Sequence, residues 1–152
     1  MTVIAVLADP PRPGLVLPRL AETSALTAEM AADCYEALLR DTVRAVDASG
    51  GDLLVNYRPD EDVPDEDVPD GAAAEAELRT LVADELGGTA DVRFERQVGS
   101  TESARAGNTV THLLREEDAR TAAVVRGTAP FLGRTDVDNA AMKLRRSAVV
   151  LG

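Results

Sequence analysis

Between Asp9 and Leu20 the chain reads Asp-Pro-Pro-Arg-Pro-Gly-Leu-Val-Leu-Pro-Arg-Leu, a proline-stiffened turn directly after an apolar run. It offers two things that a phosphate needs. Backbone N–H groups around Gly14 can form a small anion-binding concavity, and Arg19 supplies a cation. The turn is not a P-loop, because it lacks the second glycine and the Gly-Lys-Ser/Thr tail, and it is not the G-x-G-x-x-G dinucleotide fingerprint either. By spacing alone it reads first as a structural turn. A second run of chemistry-bearing residues is the tandem pentad DEDVPDEDVPD at 60–70. Its carboxylates suit calcium in type, but the spacing lacks the glycine turn and distant glutamate of an ordered calcium loop. A mobile, solvated acidic loop is expected there.

Other candidates carry plainer expectations. Cys34 is the single cysteine, so an internal disulfide or a multi-thiolate zinc site is excluded. Its neighbours place it on the apolar stripe of a helix, which predicts a buried structural thiol. His112 precedes Leu113 and Leu114 on a helical stretch and reads as a surface or packed histidine rather than a general base. Asp136 and Asp138 suit the positive end of a helix.

The elements that must position these residues alternate strand with helix. Thr2 to Leu7 is nearly all apolar, the mark of a strand buried on both faces. From Ala28 to Ala48 the pattern is helical: Met30, Cys34 and Leu38 recur every fourth residue with Leu39, Val43 and Val46 beside them, Thr27 as cap and Ser49-Gly50-Gly51 as stop. Asp52–Tyr57, Asp91–Glu95, Thr121–Val125 and Ala148–Leu151 read as further strands. Helices are expected over 72–86, 101–117 and 135–146, the last capped by Thr135. Five strands and four helices in alternation predict a single α/β domain over 1–152 with a mainly parallel sheet and helices on both faces, a Rossmann-like three-layer sandwich. Ligands of such sheets sit beyond the carboxyl ends of the strands, which directs attention to the loops 8–20, 57–71, 96–105 and 126–135.

Composition narrows the partners. The 27 acidic residues outnumber 16 basic ones, for a net charge of −11, and Lys143 is the only lysine. Nucleic acid and anionic membranes both require a positive footprint and are not expected partners. An acidic, lysine-poor surface stays hydrated when salt screens charge, which suggests a high-salt cytoplasm; the alternative is a GC-rich genome that favours arginine codons, with acidity as drift. No apolar run approaches the roughly 18 residues that span a bilayer, and the N-terminus has no basic leader. Aromatic residues are 3% of the chain, so the core must be built from Ala, Val and Leu.

The loop 8–20 resembles the opening loop of a small glycosyltransferase-A-type family related to molybdenum-cofactor nucleotidyltransferases and to arsenosugar-biosynthesis glycosyltransferases. That family reads K-x-P-x-x-G-x-x-K-T-R-L there. Pro11, Gly14, Arg19 and Leu20 match, whereas Asp9 and Leu17 replace the lysines and Pro18 replaces the threonine. Gln97, Gly99 and Arg105 match the family's Q-x-G-x-D-L-G-x-R, with Thr101 and Ser103 departing from it. The stretch Val124–Leu132 resembles the family's G-S-D-x-P-x-L after the fourth strand, whose Asp is the expected metal ligand; Thr128 stands at that place. Ala148–Gly152 resembles the D-x-V-L-G strand, after which relatives continue with the segment that completes their active site.

The resemblance implies the nucleotide-diphospho-sugar transferase fold, truncated at its C-terminal side. It also implies a nucleotide or nucleotide-sugar bound by Gly14, Arg19, Gln97, Gly99 and Arg105, and Mg²⁺ or Mn²⁺ as cofactor, its ligand position now Thr128. The expected function is a nucleotide-dependent transferase with a degenerate donor site. The alternative is a non-catalytic nucleotide-binding or protein-interaction domain, with a homodimer covering an exposed sheet edge. A phospho-acceptor receiver domain would need an acidic pair after the first strand and a lysine after the fifth; Asp9 stands alone and no lysine follows.

Overall fold

The computed structural model describes residues 1–152. Its sheet has four strands, β1 (Thr2–Ala8), β2 (Asp52–Tyr57), β3 (Arg93–Arg96) and β4 (Thr121–Arg126). They are all parallel and lie in the order β3-β2-β1-β4. β1 is central, and Val3, Ile4, Ala5 and Val6 are buried from both faces, as their unbroken apolar run requires. The helices are α1 (Pro18–Thr23), α2 (Ala28–Asp47), α3 (Ala74–Leu86), α4 (Glu102–Arg115) and α5 (Arg134–Lys143).

Two cores separate the faces. The larger holds Ile4, Val6 and Ala8 of β1 and Leu53 and Val55 of β2, against Leu39, Val43 and Val46 of α2, Leu78 and Val82 of α3 and Val137 of α5. The smaller sets Val3, Ala5 and Leu54 against Leu113 of α4 and Ala119. Each buried Leu or Val contributes about 1.5–3 kcal/mol relative to exposure. The three-layer α/β arrangement expected from the alternation is present, with α4 alone on one face.

Several expectations need correction. Ala148–Leu151 is not a strand: the turn after α5 runs on until the Ser147 N–H bonds Lys143 O, leaving five residues, and Val149 and Leu151 stay exposed. The outer edge of β4 therefore has no strand partner. In α2 the buried face is Ala31, Tyr35, Leu39, Thr42, Val43 and Val46, so Met30 and Cys34 are exposed and Cys34 is not a buried thiol. The face is rotated because small Ala31 and Ala32 let the helix lie close to the sheet while the Tyr35 hydroxyl accepts a hydrogen bond from Asp9 N at 2.8 Å. α5 is capped at Gly133, whose N–H donates to Asp136 Oδ2 at 2.9 Å, and not by Thr135.

The acidic repeat, expected as a mobile loop, forms two 3-10 turns, Asp60–Asp62 and Asp65–Asp67, with Val63 buried. Arg12 organises it. This buried guanidinium donates to Asp60 Oδ1 at 2.6 Å and to Glu77 Oε1 at 2.7 Å. Asp60 in turn accepts from Ala74 N at 2.9 Å and so starts α3, which has no capping side chain at Ala73. Thr27 caps α2 as expected, accepting from Met30 N.

Candidate functional site

The carboxyl ends of the strands form an edge on which sequence period decides direction. Side chains along a strand alternate between faces. Ile4, Val6 and Ala8 point to the larger core, so Asp9 falls on the α4 face. In β2, Leu53 and Val55 point to the larger core; Asn56 points to α4, where its Oδ1 accepts from Thr109 Oγ1 at 2.9 Å. Arg58 follows with the same parity. In β4, Val124 packs on the α4 side and Arg126 shares its parity.

Of these, Arg126 reaches the first turn of α4, and Asp9 lies close enough to feel the charges of Glu102 and Arg105 there. Thr101 caps that helix, accepting from Ala104 N at 3.1 Å. Arg126 Nε donates to Glu102 Oε1 at 2.6 Å. Arg58 lies 4.0 Å from Asp9 Oδ1 and donates from Nε to Asp62 O at 2.8 Å. Arg105 reaches Gly99 O from Nη1 at 3.4 Å, and its Nε is buried with no hydrogen-bond partner. The Asp9 carboxyl is pushed above the ordinary range, first by burial and then by Glu102, while Arg58 and Arg105 oppose the rise. More than a third of the Asp9 side chain meets solvent, yet protein crowds the carboxyl closely enough for desolvation to win.

Two glycines let the backbone close around this edge. A Cβ on Gly99 would sit 2.9 Å from Arg105 N, and the residue has φ +138. At Gly127 a Cβ would approach Leu39 Cδ1 and Leu7 O at 2.9 Å each. The Gly127 N–H bonds Leu7 O, and Thr42 Oγ1 donates to Gly127 O at 3.1 Å, tying the loop after β4 to β1 and α2.

The residues singled out from the sequence land unevenly. Gly14, at φ +87, turns the loop after β1, where a Cβ would meet Asp67 Oδ1 at 3.0 Å. Arg19 is exposed on α1 and makes no ion pair. Gln97 is buried and donates from Nε2 to Asn56 O at 2.7 Å, a tie between neighbouring strand ends. Gly99 serves the close approach of α4, and of the five only Arg105 joins the charged cluster. Sequence reasoning missed Arg58 and Arg126; the signal for both was an arginine at the end of an apolar strand.

Thr128 lies half-buried beyond β4 with a neutral hydroxyl. The carboxylates of the edge, Asp9 and Glu102, face Arg58 and Arg126. Mg²⁺ and Mn²⁺ want several anionic oxygens, and this donor set does not fit them. Glu95, His112 and Glu117 do bring ligand atoms within 4.8 Å of one another, on the α4 face at β3. Arg93 already bridges both glutamates, and His112 Nε2 lies 3.1 Å from Glu117. A groove of about 570 Å³ runs beside them, lined by Asn56, Phe94, Asn108 and His112 among others. No helix is long and apolar enough to cross a membrane.

No protein-family model and no curated protein matches the chain. A solved structure does. It is a protein of Desulfovibrio desulfuricans G20, provisionally assigned as a nucleotide-diphospho-sugar transferase, at a TM-score of 0.70 and 20% identity. The superposition covers 95% of this chain. The fold is of the nucleotide-diphospho-sugar transferase type. The chain spans 55% of that protein's length, so the match concerns a little over half of the larger molecule.

Proposed function

We propose that the chain is a nucleotide-dependent, transferase-type domain with a degenerate donor site. Its ligand is a nucleotide or nucleotide-sugar, held at the carboxyl edge of the sheet by the Gly14–Arg19 loop and the start of α4. The observation that carries this reading is Arg105: on a fold of this type it stands at the strand ends where ligands collect, with a guanidinium Nε that no protein acceptor satisfies. Arg19, exposed and unpaired on the neighbouring loop, supports it. The second reading, a nucleotide-binding or protein-interaction domain without catalysis, is favoured by Thr128, a hydroxyl where the resemblance calls for a metal-binding carboxylate. A second copy covering the free outer edge of β4 belongs to either reading. The acidic, lysine-poor composition supports work in a high-salt cytoplasm.

The test is thermal unfolding in molar KCl across a panel of nucleotides and nucleotide-sugars. A ligand that binds only the folded chain raises Tm by mass action. The expected result is a shift with one base, reduced in Arg19→Ala. A cooperative melt that no ligand moves overturns the nucleotide reading. Transfer or hydrolysis of the bound nucleotide-sugar then separates the catalytic form from the non-catalytic one.

A further inference from the structure

The donor set at the carboxyl edge rejects a divalent cation, yet the same edge carries three arginines, Arg58, Arg105 and Arg126. We propose that Arg58, Arg105 and Arg126 take the place of the metal and hold a diphosphate directly, with Asp9 and Glu102 as built-in counterions that the ligand displaces. The proposal rests on the nucleotide-binding reading and adds to it that binding is independent of divalent metal.

Geometry carries it. Arg58 and Arg126 leave the two strands that flank β1, with Tyr57 opposite Ala8 and Arg126 opposite Leu7. Two strand spacings separate them, roughly 10 Å, and both have the parity of the α4 face, on which Asp9 and the start of α4 also lie. Guanidinium forks match phosphate oxygens in pairs of parallel hydrogen bonds. The present partner of Arg126 is easily exchanged. Arg126 is 73% exposed and its Glu102 partner 55%, and exposed pairs of this kind are worth at most about 1 kcal/mol. Arg58 lies 4.0 Å from Asp9 and donates to the Asp62 backbone carbonyl from both Nε and Nη2, which leaves Nη1 as the donor it can turn toward a ligand without breaking those bonds. Three cations face two carboxylates here in a chain whose net charge is −11, so the site is a local positive exception on an acidic surface. The unsatisfied Arg105 Nε gives the cluster one donor that no rearrangement of the present pairs uses.

The experiment is calorimetric titration of the whole chain with ADP, GDP, CDP, UDP and inorganic pyrophosphate, in Mn²⁺ and in EDTA. The expected result is one nucleoside diphosphate bound with the same Kd in both. Arg58→Ala and Arg126→Ala each weaken it about tenfold or more, and Glu102→Gln tightens it by freeing Arg126. A purely structural ion pair would leave the Glu102→Gln affinity unchanged. Arg126 is 73% exposed, so its variant folds. Arg58 is 23% exposed and holds Asp62 O, so a cooperative melt of Arg58→Ala is checked first, with Arg58→Lys as the variant that keeps a donor there should the alanine fail to fold. Binding that requires Mn²⁺, or that survives both arginine substitutions, overturns the arginine clamp and leaves the nucleotide reading standing. Metal-independent pyrophosphate binding without any nucleotide binding supports the clamp and overturns the nucleotide reading. No binding by any of the five probes overturns both.

Discussion

Two groups of arginines and carboxylates flank the carboxyl edge of one sheet, and they differ in how deeply the arginine is buried and in how many carboxylates it holds. On the side of the larger core, Arg12 is 5% exposed and held by Asp60 and Glu77, so its charge is committed to the fold. On the α4 side, Arg126 and Glu102 are more than half exposed and Arg58 and Asp9 barely touch. The same residue types thus make a structural rivet in one place and a looser, more exposed pair, Arg126 with Glu102, in the other. Burial sets which: a desolvated pair is costly to break, an exposed one nearly free.

The sharpest way to test the contrast is to break the rivet. Arg12→Met keeps much of the stem volume but leaves the Asp60 and Glu77 carboxylates without their shared cation. It also unties the acidic repeat from α3. We expect a loss of about 2–3 kcal/mol, read by chemical denaturation. Arg126→Ala on the opposite side changes stability by less than about 0.5 kcal/mol. Equal losses would show that both clusters are structural.

Gly99 packs against the start of α4, on the more exposed side. Gly99→Ala must strain a backbone at φ +138 and push a Cβ to 2.9 Å from Arg105 N. The expected cost is about 2 kcal/mol, with weakened nucleotide binding because the first turn of α4 carries Arg105 and Glu102. An alanine variant as stable as the parent would show that the loop can relax, and that Gly99 does not fix α4.

The four strands of the sheet, the helix caps at Thr27 and the glycine stop at Gly87 follow from local pattern, since period and capping are local properties. The nucleotide-diphospho-sugar transferase fold was legible through ordered short motifs such as Pro11-x-x-Gly14 and Gln97-x-Gly99. What escaped depends on contacts distant in sequence. Arg12 pairs with partners 48 and 65 residues away, which turned an acidic repeat that looks disordered into docked 3-10 turns. The rotation of α2 toward Tyr35 was hidden because Met30 and Cys34 are larger and more apolar in sequence than the alanines that pack. Arg58 and Arg126 gain meaning only once strand parity and the position of α4 are known.

The smallest expected effect distinguishes the clusters by the sign of their pH dependence. Burial alone would push the Asp60 carboxyl up, but the Ala74 N–H and Arg12 outweigh it and hold it below the ordinary range. Asp60 therefore contributes stability that is present above about pH 4, the unfolded aspartate value, and lost as pH falls through its lower folded value. Asp9 is raised instead, so its ionised form is a penalty above its folded pKa, and that penalty is relieved as the carboxyl protonates on acidification. Asp60→Asn should lower stability at pH 7, with a deficit that shrinks toward pH 3. Asp9→Asn should raise stability at pH 7 by less than about 1 kcal/mol, with a gain that vanishes over the same interval. Denaturation midpoints of both variants and the parent between pH 7 and pH 3 decide the matter. Two curves that deviate from the parent in the same direction would mean that Asp9, like Asp60, is a stabilising partner of its arginine and not a counterion held in reserve.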